Sequence, residues 1–227
     1  MTTPSKGGLY MQRKLLLVIL VVLVSLAACM GPPVREAVKV DMSVPVGKIE
    51  DSQFVGIRYP FNVSAPPGWK ITMKYPDFMV DLGYEKEGLE ESQVFVFNPV
   101  TRSNLQVEFT PAGRHITFSQ KSIEDLTDMA GGSLKEELEK DYGPRVSVMY
   151  GPTTPYSLKG VPYAAKKYVT YTVNGVRREQ GWIYGFAEPY QIFILYMVVE
   201  KEGTASGAQD RDDLKKILGL FEVTSTK

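Results

Sequence analysis

The chain has one cysteine and one histidine in 227 residues. A single thiol permits no internal disulfide, so the fold must rest on a hydrophobic core, which 44% apolar residues can supply. Zinc sites need several His or Cys ligands, and Cys29 and His115 cannot assemble one. A Ser-His-acid triad could use only His115, in Ala112-Gly113-Arg114-His115. No Gly-x-Ser-x-Gly elbow accompanies it. The nearest run, Gly131-Gly132-Ser133, falls inside a helical stripe, so His115 reads as a surface or strand-end residue. A phosphate-cradling glycine loop is also missing. Charge of one sign is lacking too, with 26 basic and 26 acidic residues. Such a balance leaves no electrostatic footprint for nucleic acid and no polybasic grip on anionic lipid. No catalytic residue, metal site or cofactor is expected from these residues.

What is present begins with the one cysteine. Arg13 and Lys14 precede the apolar run Leu15 to Leu26, which ends in Leu26-Ala27-Ala28-Cys29. A basic head, an apolar middle and small residues before a cut form a secretory signal. The run is short of the ~20 apolar residues a spanning helix needs, and Gly31-Pro32-Pro33 follows it. The order resembles a bacterial lipoprotein signal with its lipobox. That resemblance implies that Leu26, Ala27 and Ala28 are read by the signal peptidase, and that the Cys29 thiol carries diacylglycerol with a further acyl chain, such as palmitate, on the freed amine. Two chains fit firm anchoring, since one holds only marginally. Met11 starts a more compact signal than Met1. Met30, where an Asp would favour inner-membrane retention, leans the address toward the outer membrane in a Gram-negative cell. The expected organisation is a signal peptide over 1–28, a lipidated tether over 29–53 and a folded domain over 54–223. Removing Lys6, Arg13 and Lys14 with the signal leaves 23 basic against 26 acidic residues, a net charge of −3.

In the folded part, strands are expected over Ile57–Val63, Trp69–Met73, Val94–Phe97 and Leu105–Phe109, with irregular chain at 75–92. Ser122-Ile123-Glu124-Asp125 has the form of a capping box. Ile123, Leu126, Ala130, Leu134 and Leu138 then recur at helical steps. Gly131-Gly132 interrupts this stripe, so one kinked helix or two short ones fit. Strands follow at Ser147–Tyr150, Tyr163–Val173, Val176–Phe186 and Ile192–Val199. Asn174-Gly175 is a two-residue hairpin signal, because both positions of a type I′ turn need positive φ. The almost continuously apolar Ile192–Val199 suits a central strand covered on both faces. A closing helix, capped by Asp210 or Asp212, carries Leu214, Ile217, Leu218 and Phe221. The fold class expected is α+β: an antiparallel sheet of about six strands with helices packed on it, an α/β/α sandwich.

Tyr59-Pro60-Phe61-Asn62-Val63, then Ala65-Pro66-Pro67-Gly68-Trp69, and the closing Leu218-Gly219-Leu220-Phe221-Glu222-Val223 resemble PsbP-like domains over roughly residues 54–223. The resemblance implies an α/β/α sandwich of the PsbP/Mog type and a role in binding or assembly, with no set of catalytic residues to carry over. Trp69 reads as a core anchor.

The functional expectation is a non-enzymatic, lipid-anchored binding or assembly domain in the cell envelope. It is held to the membrane through Cys29, faces the periplasm or the exterior, and has an envelope protein as partner. Tyr163, Tyr168, Tyr171, Tyr184 and Tyr190 could form a binding face, since aromatics are enriched at interfaces. They could equally pack the sheet. One alternative is an envelope hydrolase using carboxylates among Glu85, Glu87, Glu90 and Glu91, although these also fit a solvated loop. Another is a carrier of a small apolar molecule. Asp210-Arg211-Asp212-Asp213 is the best acidic cluster for calcium, but it lacks the EF-hand pattern and suits a helix start.

Overall fold

In the computed structural model, residues 38–114, 116–201 and 206–224 are described. The chain divides into two compact units. The described residues belong almost wholly to the second, Val38–Ala112 and Thr117–Lys227. The signal segment 1–28, Leu26, Ala27, Ala28, Cys29 and His115 lie outside the described residues. No described helix is long and apolar enough to cross a membrane.

The centre is an eight-stranded antiparallel sheet, larger than the six or so strands expected. Its members are β4 (Lys70–Thr72), β5 (Val94–Phe97), β6 (Asn104–Pro111), β7 (Val148–Tyr150), β8 (Thr154–Pro155), β9 (Tyr163–Val173), β10 (Val176–Ala187) and β11 (Tyr190–Lys201). The order is β4-β5-β6-β11-β10-β9-β7, with β8 also paired to β9. Of its members only the two-residue β8 lies outside the stretches expected as strands, and it is too brief to carry a periodic signal. β9 and β10 meet at Asn174-Gly175, where both residues take positive φ (51° and 73°), as a type I′ turn demands. β11 is central, between β6 and β10, and is buried on both faces from Ile194 to Val198.

A second, four-stranded sheet covers one face. It pairs β1 (Gly47–Glu50), β2 (Gln53–Gly56), β3 (Phe61–Ser64) and β12 (Glu222–Val223) in that order. Gly47–Glu50, within the segment expected as tether, is therefore a strand. Residues just before it are tied down as well, since Arg58 donates from Nε to the Val44 carbonyl (2.8 Å) and from Nη2 to that of Met42 (2.9 Å). The strand expected at Ile57–Val63 is shorter than its pattern, because Ile57–Pro60 bends between β2 and β3.

Helices complete the layers. The stretch 75–92, read as irregular, holds α1 (Phe78–Asp81) and α2 (Lys86–Glu91), which are too short for periodicity to register. The interrupted stripe resolves into two helices, α3 (Gln120–Met129) and α4 (Leu134–Tyr142). The cap of α3 is Ser119, not Ser122: its Oγ accepts from the Ser122 amide at 3.1 Å. The break falls where it does because Gly131 has φ +70° and the Trp182 ring lies against it. A Cβ there would sit 2.6 Å from the ring. The closing helix α5 (Ser206–Leu220) already begins at Ser206, upstream of the expected caps. Asp210 is instead buried within it, and its carboxylate accepts from Ser103 Oγ (2.6 Å) and Asn98 Nδ2 (3.1 Å).

The main core lies between the central sheet and the layer made by the small sheet and α5. Phe61 stacks on Phe109 with centroids 4.9 Å apart, and Phe54, Ile192, Ile194, Ile217 and Phe221 fill the space around them. Trp69 is a buried anchor, as expected, and its indole N–H donates to Asp213 Oδ2 at 3.2 Å. A smaller core lies on the opposite face, where Leu138 and Leu134 of α4 meet Val169, Tyr171, Val173, Trp182 and Leu195. Met79, Leu89 and Phe95 form a third cluster under α1 and α2. The fold is α+β and antiparallel, with layers on both faces of the sheet.

Candidate functional site

Strand alternation sends every second side chain to one face. On the face toward α4, this parity brings out an unusual set. β6 presents Gln106 and Glu108, and β10 presents Arg178 and Gln180. β11 runs between them with Phe193, Leu195 and Met197. Leu82–Glu85, joining α1 to α2, forms one wall. Leu134, Glu137, Leu138, Asp141 and Tyr142 of α4 form the other. The space enclosed is about 360 Å³.

Most polar groups on this floor are paired. Tyr84 Oη donates to Asn104 Oδ1 (2.8 Å), and Asn104 Nδ2 donates to the Arg102 carbonyl (2.9 Å). Tyr171 Oη donates to Gln180 Oε1 (3.1 Å), and Arg178 Nη1 to the Leu82 carbonyl (2.9 Å). Two atoms are not paired. Arg178 Nε and Gln106 Oε1 are buried without a hydrogen-bond partner, in side chains only 9% and 5% exposed. An unmet buried donor or acceptor costs about 1–3 kcal/mol, so such groups call for a reason.

The rim is acidic. Glu85, Glu91, Glu137 and Asp141 are exposed around it and Glu108 is half-buried, while among the described residues Arg178 is the only cation lining the cleft. Burial raises the Glu108 carboxyl above its ordinary range, with the Glu91 charge adding to the effect. Burial also pushes the phenols of Tyr84 and Tyr171 up, against the opposing pull of Arg178. Both phenols are therefore neutral donors at physiological pH.

The structure sorts the sequence-level candidates. Of the four glutamates, Glu85 and Glu91 line this cleft, whereas Glu87 and Glu90 do not. Tyr171 is buried at its floor. Tyr184 packs on Phe193 (4.7 Å) and Tyr190 on Phe109 (5.5 Å). Tyr163 and Tyr168 are exposed on opposite faces of β9, so the five tyrosines make no single patch. The aspartates of α5 are likewise dispersed. Asp210 turns to Ser103, Asp212 pairs with Lys215 and Asp213 with Lys216. Among the described residues no group of acids, His or Cys could hold a metal ion. Gln106, Glu108, Arg178 and Gln180 were not legible as a site, because Leu105-Gln106-Val107-Glu108-Phe109 reads as an ordinary half-exposed strand. The available signal was β11: if it is covered on both faces, polar side chains of its neighbours must be covered too.

No protein-family model matches the chain, and no curated protein matches it. Among solved structures it is similar to the solution structure of cyanobacterial PsbP (CyanoP) from Synechocystis sp. PCC 6803. The TM-score is 0.49 and the identity 11%, covering 85% of this chain and 100% of that one. This is the family that Tyr59–Trp69 and the closing Leu218–Val223 segment resemble. No role of any residue is carried across.

Proposed function

We propose that this chain is a lipid-anchored, non-enzymatic binding or assembly protein of the cell envelope, whose partner seats in the cleft between α4, the α1–α2 connection and the sheet. The carrying observation is the cleft itself, about 360 Å³, whose floor holds a buried donor and a buried acceptor without partners beside an apolar strand. The anchor in this reading is Cys29, supported by Leu26-Ala27-Ala28 before it. The address is the periplasmic or outer face of a membrane, the outer membrane where the cell is Gram-negative. A polar floor and acidic rim suit an apolar cargo poorly.

The anchor is tested by detergent phase partition of the full chain expressed with its own signal. Wild type enters the detergent phase and Cys29→Ser moves to the aqueous phase; equal partition rejects the anchor. Binding is tested with a photo-crosslinking phenylalanine in place of Tyr142, at the cleft mouth, compared with one in place of Lys48 on β1. A product specific to the Tyr142 position supports the reading. Identical products, or none, from both positions reject it.

A second reading, a hydrolase using carboxylates, draws on Glu108. Burial raises its carboxyl above the ordinary range, and Glu91 lines the same cleft; two carboxyl groups in unlike environments are how general acid and base are divided. Under that reading, Glu108→Gln abolishes turnover of glycan substrates and leaves their binding intact.

A further inference from the structure

We infer that β7 is a pairing edge for a second copy of this chain, and that two copies join their central sheets antiparallel across it, with Met149 opposite Met149. β7 ends the sheet order and pairs only with β9. The Gly151 amide donates to the Tyr168 carbonyl at 2.8 Å. The backbones of Gly151 and Met149 therefore turn toward β9, and by alternation those of Val148 and Tyr150 turn away. Among the described residues nothing takes up these four outward groups.

A free row of donors and acceptors is a template for another strand, and proteins usually guard it with charge or proline. The other sheet ends are guarded. Lys48 and Glu50 stand on β1, Lys70 on β4 and Pro155 in β8. Val223 of β12 donates to the Lys159 carbonyl (2.9 Å). β7 carries neither charge nor proline, and Met149, Tyr150 and the neighbouring Tyr168 are 63%, 41% and 37% exposed.

The strand is complementary to itself in one twofold register. Setting Val148 against Val148 would call on Val146, whose N–H already donates to the Gly143 carbonyl (3.4 Å). Setting Tyr150 against Tyr150 would bring Val148 opposite Pro152, which has no N–H to give. Setting Val148 against Tyr150 closes four backbone hydrogen bonds. It also places Met149 against its twin as a non-hydrogen-bonded pair, where side chains come closest. Carried past the strand ends, the same register sets Arg145 opposite Thr153 of the second copy. The Thr153 hydroxyl donates to Asp128 (2.7 Å), so a cation of each copy comes toward a carboxylate of the other. Anchored copies would meet at a raised effective concentration, but the pairing does not require the anchor.

The test uses the full chain carrying Cys29→Ser, which removes the competing thiol and any lipid, in detergent with micelles in excess over chains. Sedimentation at tens of micromolar should show two chains per particle. Met149→Lys, at an exposed position, should weaken the pairing about tenfold, since like charges then stand directly opposed. Met149→Cys should form a disulfide-linked dimer under mild oxidation at least tenfold faster than Lys48→Cys on β1. Opposed Cα atoms in such a pair are about 4.5 Å apart, within the span of a disulfide. A monomer at that concentration, a dimer that Met149→Lys leaves unchanged, or equal crosslinking at the two positions overturns the proposal. Capture of a different envelope protein by a photo-crosslinking residue in place of Met149, with the chain itself monomeric, would also overturn it and assign the edge to a foreign strand.

Discussion

The two faces of the central sheet are built on opposite rules. Toward β1–β3, β12 and α5, the strands present Val94, Val96, Leu105, Val107, Phe109, Ile192 and Ile194, all at 0–1% exposure. The polar groups that reach this layer are pinned, Trp69 to Asp213 and Asp210 to Ser103 and Asn98. Toward α4 the same strands present Gln106, Glu108, Arg178 and Gln180, with two atoms unmet. One face is complete in itself and supplies stability. The other is left open, as expected where a surface is shaped for something outside the chain.

The contrast can be broken at several depths. The largest effect should come from Phe61→Ala, which removes a fully buried ring stacked on Phe109. Urea unfolding should show a loss of about 3–5 kcal/mol, and a loss below 1 would mean that the completed face is not the stabilising one. Asp210→Ala strands Ser103 and Asn98, and should cost about 2–3 kcal/mol in the same measurement. Gly131→Ala should cost about 1–3 kcal/mol, because alanine at φ +70° is strained and its methyl would meet the Trp182 ring. This substitution probes the seam where α3 and α4 ride on the open face. Gln106→Leu should be neutral or stabilising by up to about 1 kcal/mol, since it deletes an acceptor that nothing satisfies. A loss of 2 kcal/mol or more would show that Gln106 belongs to the core and not to a site.

The smallest effect concerns pH. The Glu108 carboxyl is raised above its usual 4.5 by burial and by Glu91, so the folded chain holds that proton more tightly than the unfolded one. The resulting stabilisation is full below the unfolded value and is lost as pH rises through the folded value. The unfolding free energy of wild type minus that of Glu108→Gln should therefore fall as pH climbs from about 4.5. A flat or rising difference would mean that Glu108 is paired.

The same contrast explains what could be read from sequence. Asn174-Gly175 and the apolar Ile192–Val199 mark the meander because local chemistry alone dictates a tight turn and a doubly covered strand. The stripe Leu214, Ile217, Leu218 and Phe221 marks α5 for the same reason, and all four are buried. The pieces that escaped notice are those with too few residues to repeat, α1, α2, β1, β2, β8 and β12. Ser119 escaped as a cap because Ser122, three residues on, is followed by an acid in the manner of a capping box and Ser119 is not. The cleft escaped for a different reason. Alternating polar residues in a strand look solvated until tertiary structure shows a helix lying over them, and whether Arg178 Nε finds a partner is a matter of angles that no residue pattern records.

The pairing of β12 with β3, Val223 beside Phe61 and Glu222 beside Asn62, has a consequence for biogenesis. The sheet that seals the main core joins an early strand, β3, to the last described one, β12. Contacts so distant in sequence form late and slowly. A chain emerging from the ribosome or threading through a translocation pore can therefore close this layer only after residue 223 is free. Until then Phe61 lacks its ring contact with Phe221. β12 is thus the last piece of this layer to become available, and the small sheet is incomplete until it pairs with β3.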